Sequence, residues 1–229
     1  MVRLIEHYGI RLGSATAYLV KGQKGCILVD AGSKGKEQMF FDYLRRSGIS
    51  QGELQLIVVT HVHYDHVGGL ALIKKRCQCP VAVHTNEAAL LREARIAIPP
   101  PTNTVGRMLS FLGRKLISTD RNFAPVEPDI LISSEFLLDD FGIDGSVLFT
   151  PGHTRGSVSV LLRSGEAFVG DLASSFPFQS VFPMYAEEPE QVCESWKKIL
   201  DFGSKMIFPS HGSSFVAEKL TREYEKRAL

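Results

Sequence analysis

The chain has 229 residues, of which 44% are hydrophobic and 22% are charged, and its formal net charge is +1. Such values are ordinary for one globular domain. A nearly neutral chain gives no electrostatic reason to expect a nucleic acid or an anionic membrane as a partner. No apolar run approaches the roughly 18–20 residues of a membrane-spanning helix, and residues 1–7 lack the apolar stretch of a signal peptide. We therefore expect a cytoplasmic protein with neither partner.

The first sixty residues alternate between strand and helix patterns. Strands are predicted at residues 15–20 and 26–30, with a turn-rich segment between them that is typical of a hairpin. A helix is predicted over residues 35–46, followed by a buried strand at 56–59.

The middle of the chain is less regular. A short capped helix is predicted at residues 86–91, and the pattern then breaks between about 97 and 128, where three consecutive prolines begin at Pro99. Proline cannot continue a helix, so this stretch is interpreted as an insertion. It is either a lid over a site or a surface excursion, and the sequence favours neither.

The second half repeats the strand pattern. Strands are predicted at residues 146–149, 157–162, 166–169 and 206–208, and helices at about 188–202 and 215–227. Strand runs in both halves, with helices between them, predict two β-sheets packed face to face with helices outside. We expect a single domain over residues 1–229, because no boundary signal interrupts the chain.

Five of the seven histidines lie in three short segments, each directly after a predicted strand. The segments are Thr60-His61-Val62-His63-Tyr64-Asp65-His66, Pro151-Gly152-His153 and Ser210-His211-Gly212, and Asp171 follows the strand at 166–169. One histidine at a strand end is more often structural, but this density of imidazoles and carboxylates favours a transition-metal site. His7 and His84 lie outside these segments, and we expect them to be structural. Four cysteines, including the closely spaced Cys77 and Cys79, are not expected to carry the chemistry.

These segments resemble, in order and spacing, the motifs of the metallo-β-lactamase superfamily over nearly the whole chain. The resemblance rests on the HVHYDHVGG run that begins at His61, on Pro151-Gly152-His153-Thr154-Arg155-Gly156-Ser157, on Gly170-Asp171 and on His211-Gly212. It implies an αββα four-layer sandwich, with two mixed β-sheets packed face to face. It also implies seven metal ligands: His61, His63 and His153 for one ion, Asp65, His66 and His211 for a second, and Asp171 for both.

The resemblance further implies two divalent metal ions, Zn²⁺ in the first place with iron or manganese as alternatives, and a hydroxide that bridges them. A cation of this kind lowers the pKa of bound water to about 7, which provides a nucleophile at neutral pH. We therefore expect a dinuclear hydrolase that cleaves an ester, thioester or lactone bond of a small molecule. Asp65 is in addition a candidate for relaying a proton during the reaction.

Residues at particular positions narrow the choice among the branches of the superfamily. Asp171 and His66 argue against a true β-lactamase, because the lactamase branches lack the bridging aspartate. Lactonases of this type carry a tyrosine three residues after that aspartate, where this chain has Ser174. The segment after His211 is too short for the glutathione-binding helical region of glyoxalase II. A general hydrolase of esters, thioesters or lactones remains.

Two other functions stay open. Persulfide-oxidising sulfur dioxygenases of this superfamily keep the same motifs around one iron, and ligand residues alone do not choose the metal. The second open function is that of a non-enzymatic metal-binding sensor, because fold does not fix function. Candidate substrate-pocket residues are Phe176, Phe178, Phe182 and Tyr185 after Asp171, and Met108, Phe111 and Leu112 in the insertion. The oligomeric state is not predicted.

Overall fold

A computed structural model describes residues 5–108, 123–177 and 179–228 of the chain. Its first sheet contains six strands in sequence order. They are β1 (Glu6–Arg11), β2 (Thr16–Lys21), β3 (Cys26–Val29), β4 (Leu54–Val58), β5 (Val81–His84) and β6 (Ile130–Ile132). Strands β1 to β3 are antiparallel, whereas β3 to β6 run parallel, so the sheet is mixed.

The second sheet also has six strands, in the order β12-β11-β10-β9-β8-β7. They are β7 (Glu135–Leu137), β8 (Gly145–Phe149), β9 (Val158–Leu162), β10 (Glu166–Gly170), β11 (Met206–Pro209) and β12 (Phe215–Val216). Only the pair of β10 and β11 is parallel, so this sheet is mixed as well.

Helices cover the outer faces of both sheets. They are α1 (Glu37–Arg46), α2 (Tyr64–Val67), α3 (Leu70–Cys77), α4 (Thr85–Arg92), α5 (Pro189–Asp201) and α6 (Ala217–Ala228), with 3₁₀ turns at Gln51–Glu53 and Asp139–Phe141. Residues 104–108 are also helical. None of the described helices has the length and apolar character that a bilayer crossing requires.

Three apolar cores hold the four layers together. In β3, Ile27 and Val29 point into the core between the two sheets, where they meet residues such as Val160 and Phe168 of the second sheet. The alternate residues of β3 pack instead against α1, α3 and α4. A third core lies between the second sheet and α5 and α6, and the fully buried Trp196 is its largest side chain. The predicted αββα sandwich is therefore confirmed.

The element predictions are accurate to one or two residues, with one error at the last helix. That helix begins at Ala217, because Phe215 and Val216 pair with β11 as an edge strand. All four cysteines lie in the described residues, where none forms a disulfide. The single-domain assignment stays a prediction.

Candidate metal centre

The seven predicted ligands lie together at one rim of the sandwich. His61 and His63 follow β4, and Asp65 and His66 belong to the short helix α2. The other three lie after strands of the second sheet: His153 after β8, Asp171 directly after β10, and His211 after β11. Strands of both sheets therefore place the predicted ligand side chains at the same rim.

The first group contains His61, His63, His153 and Asp171, whose potential ligand atoms all lie within 4.8 Å of one another. The His63 Nδ1 atom lies 2.9 Å from His61 Nε2 and 3.2 Å from His153 Nε2. The Asp171 Oδ2 atom lies 3.9 and 3.7 Å from the same two Nε2 atoms. A tetrahedral ion with bonds of about 2.0–2.1 Å holds its ligand atoms roughly 3.4 Å apart, so this spacing fits one cation.

The second group contains Asp65, His66 and His211. The His211 Nε2 atom lies 3.3 Å from Asp65 Oδ2 and 3.4 Å from Asp171 Oδ2. The His66 Nε2 atom lies 3.3 Å from Asp171 Oδ1. Asp171 therefore stands between both groups, with one carboxylate reaching histidines on each side.

His66 Nε2 and Asp171 Oδ1 are buried at the centre and lie 3.3 Å from each other, but neither makes a contact with the geometry of a hydrogen bond among the described residues. A buried polar atom without a partner is costly and is rare in native proteins. Both atoms belong to residues of the two ligand groups, and imidazole and carboxylate are suitable donors for zinc or iron. The residues therefore fit a metal pair.

Hydrogen bonds outside the centre orient the imidazole rings. The carbonyl oxygens of Ala97 and Tyr185 accept hydrogen bonds from His63 Nε2 and His153 Nδ1, at 2.9 and 2.8 Å. A carbonyl can only accept, so the proton is fixed on the outer nitrogen and the inner nitrogen keeps its lone pair. Outer partners of this kind set the tautomer of metal-binding histidines.

Asp30 orients the ring of His66 directly and that of His61 through Thr60, and sequence reasoning missed this residue. Its Oδ2 accepts from His66 Nδ1 at 2.7 Å, and its Oδ1 accepts from the amide nitrogen of Thr60 at 2.8 Å. The Thr60 hydroxyl donates to Asp30 and lies 3.0 Å from His61 Nδ1, which extends the network to a second ring. The only sequence signal was an acid directly after the buried strand β3.

The pKa values divide the histidines into two classes. Burial lowers the pKa of His61 and His63, and it lowers that of His153 to about 4. The carboxylate of Asp171 raises the pKa of His211 to about 10. Without metal, the first group therefore has neutral rings, whereas His211 must lose a proton before it can bind a cation.

Burial alone opposes ionisation of Asp171 and charge on His66. The charges of His211 and His66 nevertheless hold the pKa of Asp171 well below its usual range. The carboxylates of Asp171 and Asp30 in turn hold the pKa of His66 well above its usual range. The second group is therefore an ion-paired network in the absence of metal.

The described part of the insertion, residues 97–108, is here named the insertion segment. It is fixed to residues 183–186 by backbone bonds from Ala186 to Pro100 and from Thr102 to Met184, at 3.1 and 2.9 Å. The Tyr185 hydroxyl donates to the Gly106 carbonyl at 3.1 Å. Through Ala97 and Tyr185, the two paired stretches supply the carbonyls that orient His63 and His153.

Other sequence-based expectations have mixed outcomes. Phe182 was wrongly predicted to line a pocket, because it packs edge to face on Trp196 in the third core. Met108 is 56% exposed, and Phe176 is half-buried. Phe111, Leu112 and Phe178 lie outside the described residues. His7 packs on two phenylalanines and His84 stacks on Phe149, in agreement with structural roles.

The chain belongs to the metallo-beta-lactamase superfamily, whose sequence pattern matches residues 10–211. It is 31% identical to the "probable metallo-hydrolase" MJ0888 of Methanocaldococcus jannaschii, over 72% of this chain and 68% of that protein. It is 27% identical to the acyl-coenzyme A thioesterase MBLAC2 of Gallus gallus, over 91% of this chain and 76% of the relative. Among solved structures, TTHA1623 in a di-iron-bound form superposes with a TM-score of 0.68 at 23% identity, over 94% and 98% of the two chains.

Proposed function

We propose that this protein is a dinuclear metallohydrolase that cleaves an acyl bond of a small molecule, with thioesters as the first substrate class and esters and lactones as the alternatives. The observation that carries the proposal is the pair of ligand groups that share Asp171. The relationship to an acyl-coenzyme A thioesterase over most of both chains supports the choice of thioesters.

The chain's own residues would bind the two cations. His61, His63 and His153 would hold one divalent cation and Asp65, His66 and His211 the other, with Asp171 between them. Bound divalent cations supply Lewis acidity and lower the pKa of water to about 7. Zinc is the first expectation, and the di-iron neighbour makes iron the main alternative.

Asp65 is the proposed proton relay. Its Oδ2 accepts a hydrogen bond from Ser14 Oγ at 2.9 Å and lies 3.3 Å from His211 Nε2. Burial opposes ionisation, yet the hydrogen bond from His211 and the charge of His66 hold the pKa of Asp65 below its usual range. A carboxylate in this state can take up a proton only briefly and pass it to a departing thiolate or alkoxide.

The test combines metal analysis with a substrate panel. Freshly purified protein is expected to contain two metal ions per chain and to hydrolyse acyl-coenzyme A thioesters more efficiently than simple esters or lactones. Chelation should abolish the activity, and added metal should restore it. His63→Ala should lower kcat/KM by at least about a hundredfold, whereas His7→Gln, outside the centre, should leave it within about twofold.

The opposing outcomes are also specific. Protein that carries two ions per chain but turns over no thioester, ester or lactone would refute the proposal. Oxygen uptake on glutathione persulfide by iron-loaded protein, without hydrolysis, would assign the dioxygenase reaction instead.

A further inference from the structure

Glu87 is a buried carboxylate, 2% exposed, that the hydrolysis scheme leaves without a role. It lies in the first turn of α4, and its Oε2 accepts a hydrogen bond from the Val62 amide at 2.8 Å. The Thr154 hydroxyl and the Gly156 amide also donate to this carboxylate. One side chain therefore joins the loop between His61 and His63 to the turn that carries His153.

The fit between Glu87 and this turn is close. A Cβ atom on Gly156 would lie 2.5 Å from Glu87 Cγ and 2.9 Å from its Oε1, so any larger residue would displace the carboxylate. The neighbouring Asn86 adds a hydrogen bond from Nδ2 to the Arg155 carbonyl at 2.9 Å. The start of α4 therefore holds the turn at two points.

The charge of Glu87 has no cationic counterpart in the described residues, where no lysine, arginine or histidine nitrogen lies within 4.0 Å of it. Burial raises its pKa, although the bonds from Thr154, Val62 and Gly156 oppose this shift. A position in the first helical turn also favours the anion. The carboxyl group is therefore held in place by hydrogen bonds rather than by an ion pair.

We propose that Glu87 is a positioning residue that holds His61, His63 and His153 in register for the first metal ion. This inference rests on the metal centre of the proposed function. It assigns no contact between Glu87 and the substrate. Partners of this outer kind usually change metal affinity 10–100-fold.

The experiment measures Co²⁺ affinity for each ligand group separately. A His211→Ala background disables the second group, so chelator competition reports the first group alone. A His153→Ala background reports the second group in the same way. Glu87→Gln is expected to weaken the first group about 10–100-fold and to change the second less than about threefold. Glu187→Gln is the matched control, because Glu187 accepts from the Arg155 amide of the same turn at 2.9 Å.

A second variant distinguishes a local effect on the first group from a general loss of folding. Gly156→Ala keeps the charge but pushes the carboxylate away from the turn, so it should also weaken the first group selectively. Equal weakening of both groups by either variant, or none, would overturn the proposal, as would an equal effect of Glu187→Gln. Because affinity is measured without turnover, absence of hydrolysis with a selective Glu87 effect would reject the proposed function and leave this inference standing.

Discussion

Asp30→Asn tests whether the outer network determines the metal centre. Asp30 has a φ of +63°, a conformation that asparagine tolerates, so the change leaves the backbone unstrained and removes the charge and one acceptor oxygen. The new amide group would face the donor of either Thr60 or His66, and one buried donor would lose its acceptor. Breaking a buried pair such as His66 and Asp30 costs about 3–5 kcal/mol, and a lost outer partner weakens metal binding about 10–100-fold.

The assay has two parts. Denaturant unfolding of the metal-free variant should show a loss of roughly 3 kcal/mol in the free energy of unfolding. Chelator competition should show weaker binding at the second group, which contains His66. Asp42→Asn is the control, since Asp42 lies on the surface of α1 and pairs with Arg45; such a change usually costs less than about 0.5 kcal/mol. A loss below about 1 kcal/mol for Asp30→Asn, with unchanged metal affinity, would refute the reasoning.

Three further predictions concern pH and two local contacts. His211 has a pKa raised from 6.5 to about 10 by the shared carboxylate, so its stabilising effect is full below pH 6.5 and is lost as the pH rises towards 10. Unfolding of the metal-free protein should therefore show falling stability over that range, and a rise would contradict the assignment. Gly212→Ala should cost about 2 kcal/mol or more, because φ is +95° and a Cβ would lie 2.0 Å from the Ser175 carbonyl oxygen; an unchanged Tm would disprove this. Thr102→Val removes the hydrogen bond from the Thr102 hydroxyl to the Pro183 carbonyl, which is worth about 1 kcal/mol. The change should speed hydrogen exchange of the backbone amide at position 102. Unchanged exchange would exclude a role for that bond.

The sequence was most informative where structure depends on neighbours along the chain. Apolar runs and turn residues located the strands, and polar residues after those runs located the rim at which all seven predicted ligands meet. The spacing of His61 and His63 was sufficient to predict that they converge, because both belong to the same extended segment. Their binding of metal stays a prediction.

The errors and omissions depend on contacts between distant segments. Phe215 continues a helical pattern, but it pairs with Ile207 of β11 and is therefore a strand residue. Phe182 lies near the predicted site in sequence, yet its ring packs against Trp196 in the third core. The partners of Glu87 lie in two other segments of the chain, so no local pattern could reveal its role.

The ligand residues of the candidate metal centre differ in their exposure to solvent. His153 and His61 have side chains that are 4% and 1% exposed, whereas those of His211 and Asp171 are 21% and 16% exposed. His211 is therefore the most accessible of the seven ligand residues, although Asp65 and His66 of the same group are only 9% and 0% exposed. If the centre binds two ions as proposed above, a chelator should meet His211 first, so partial demetallation is expected to leave the ion that His61, His63 and His153 would hold.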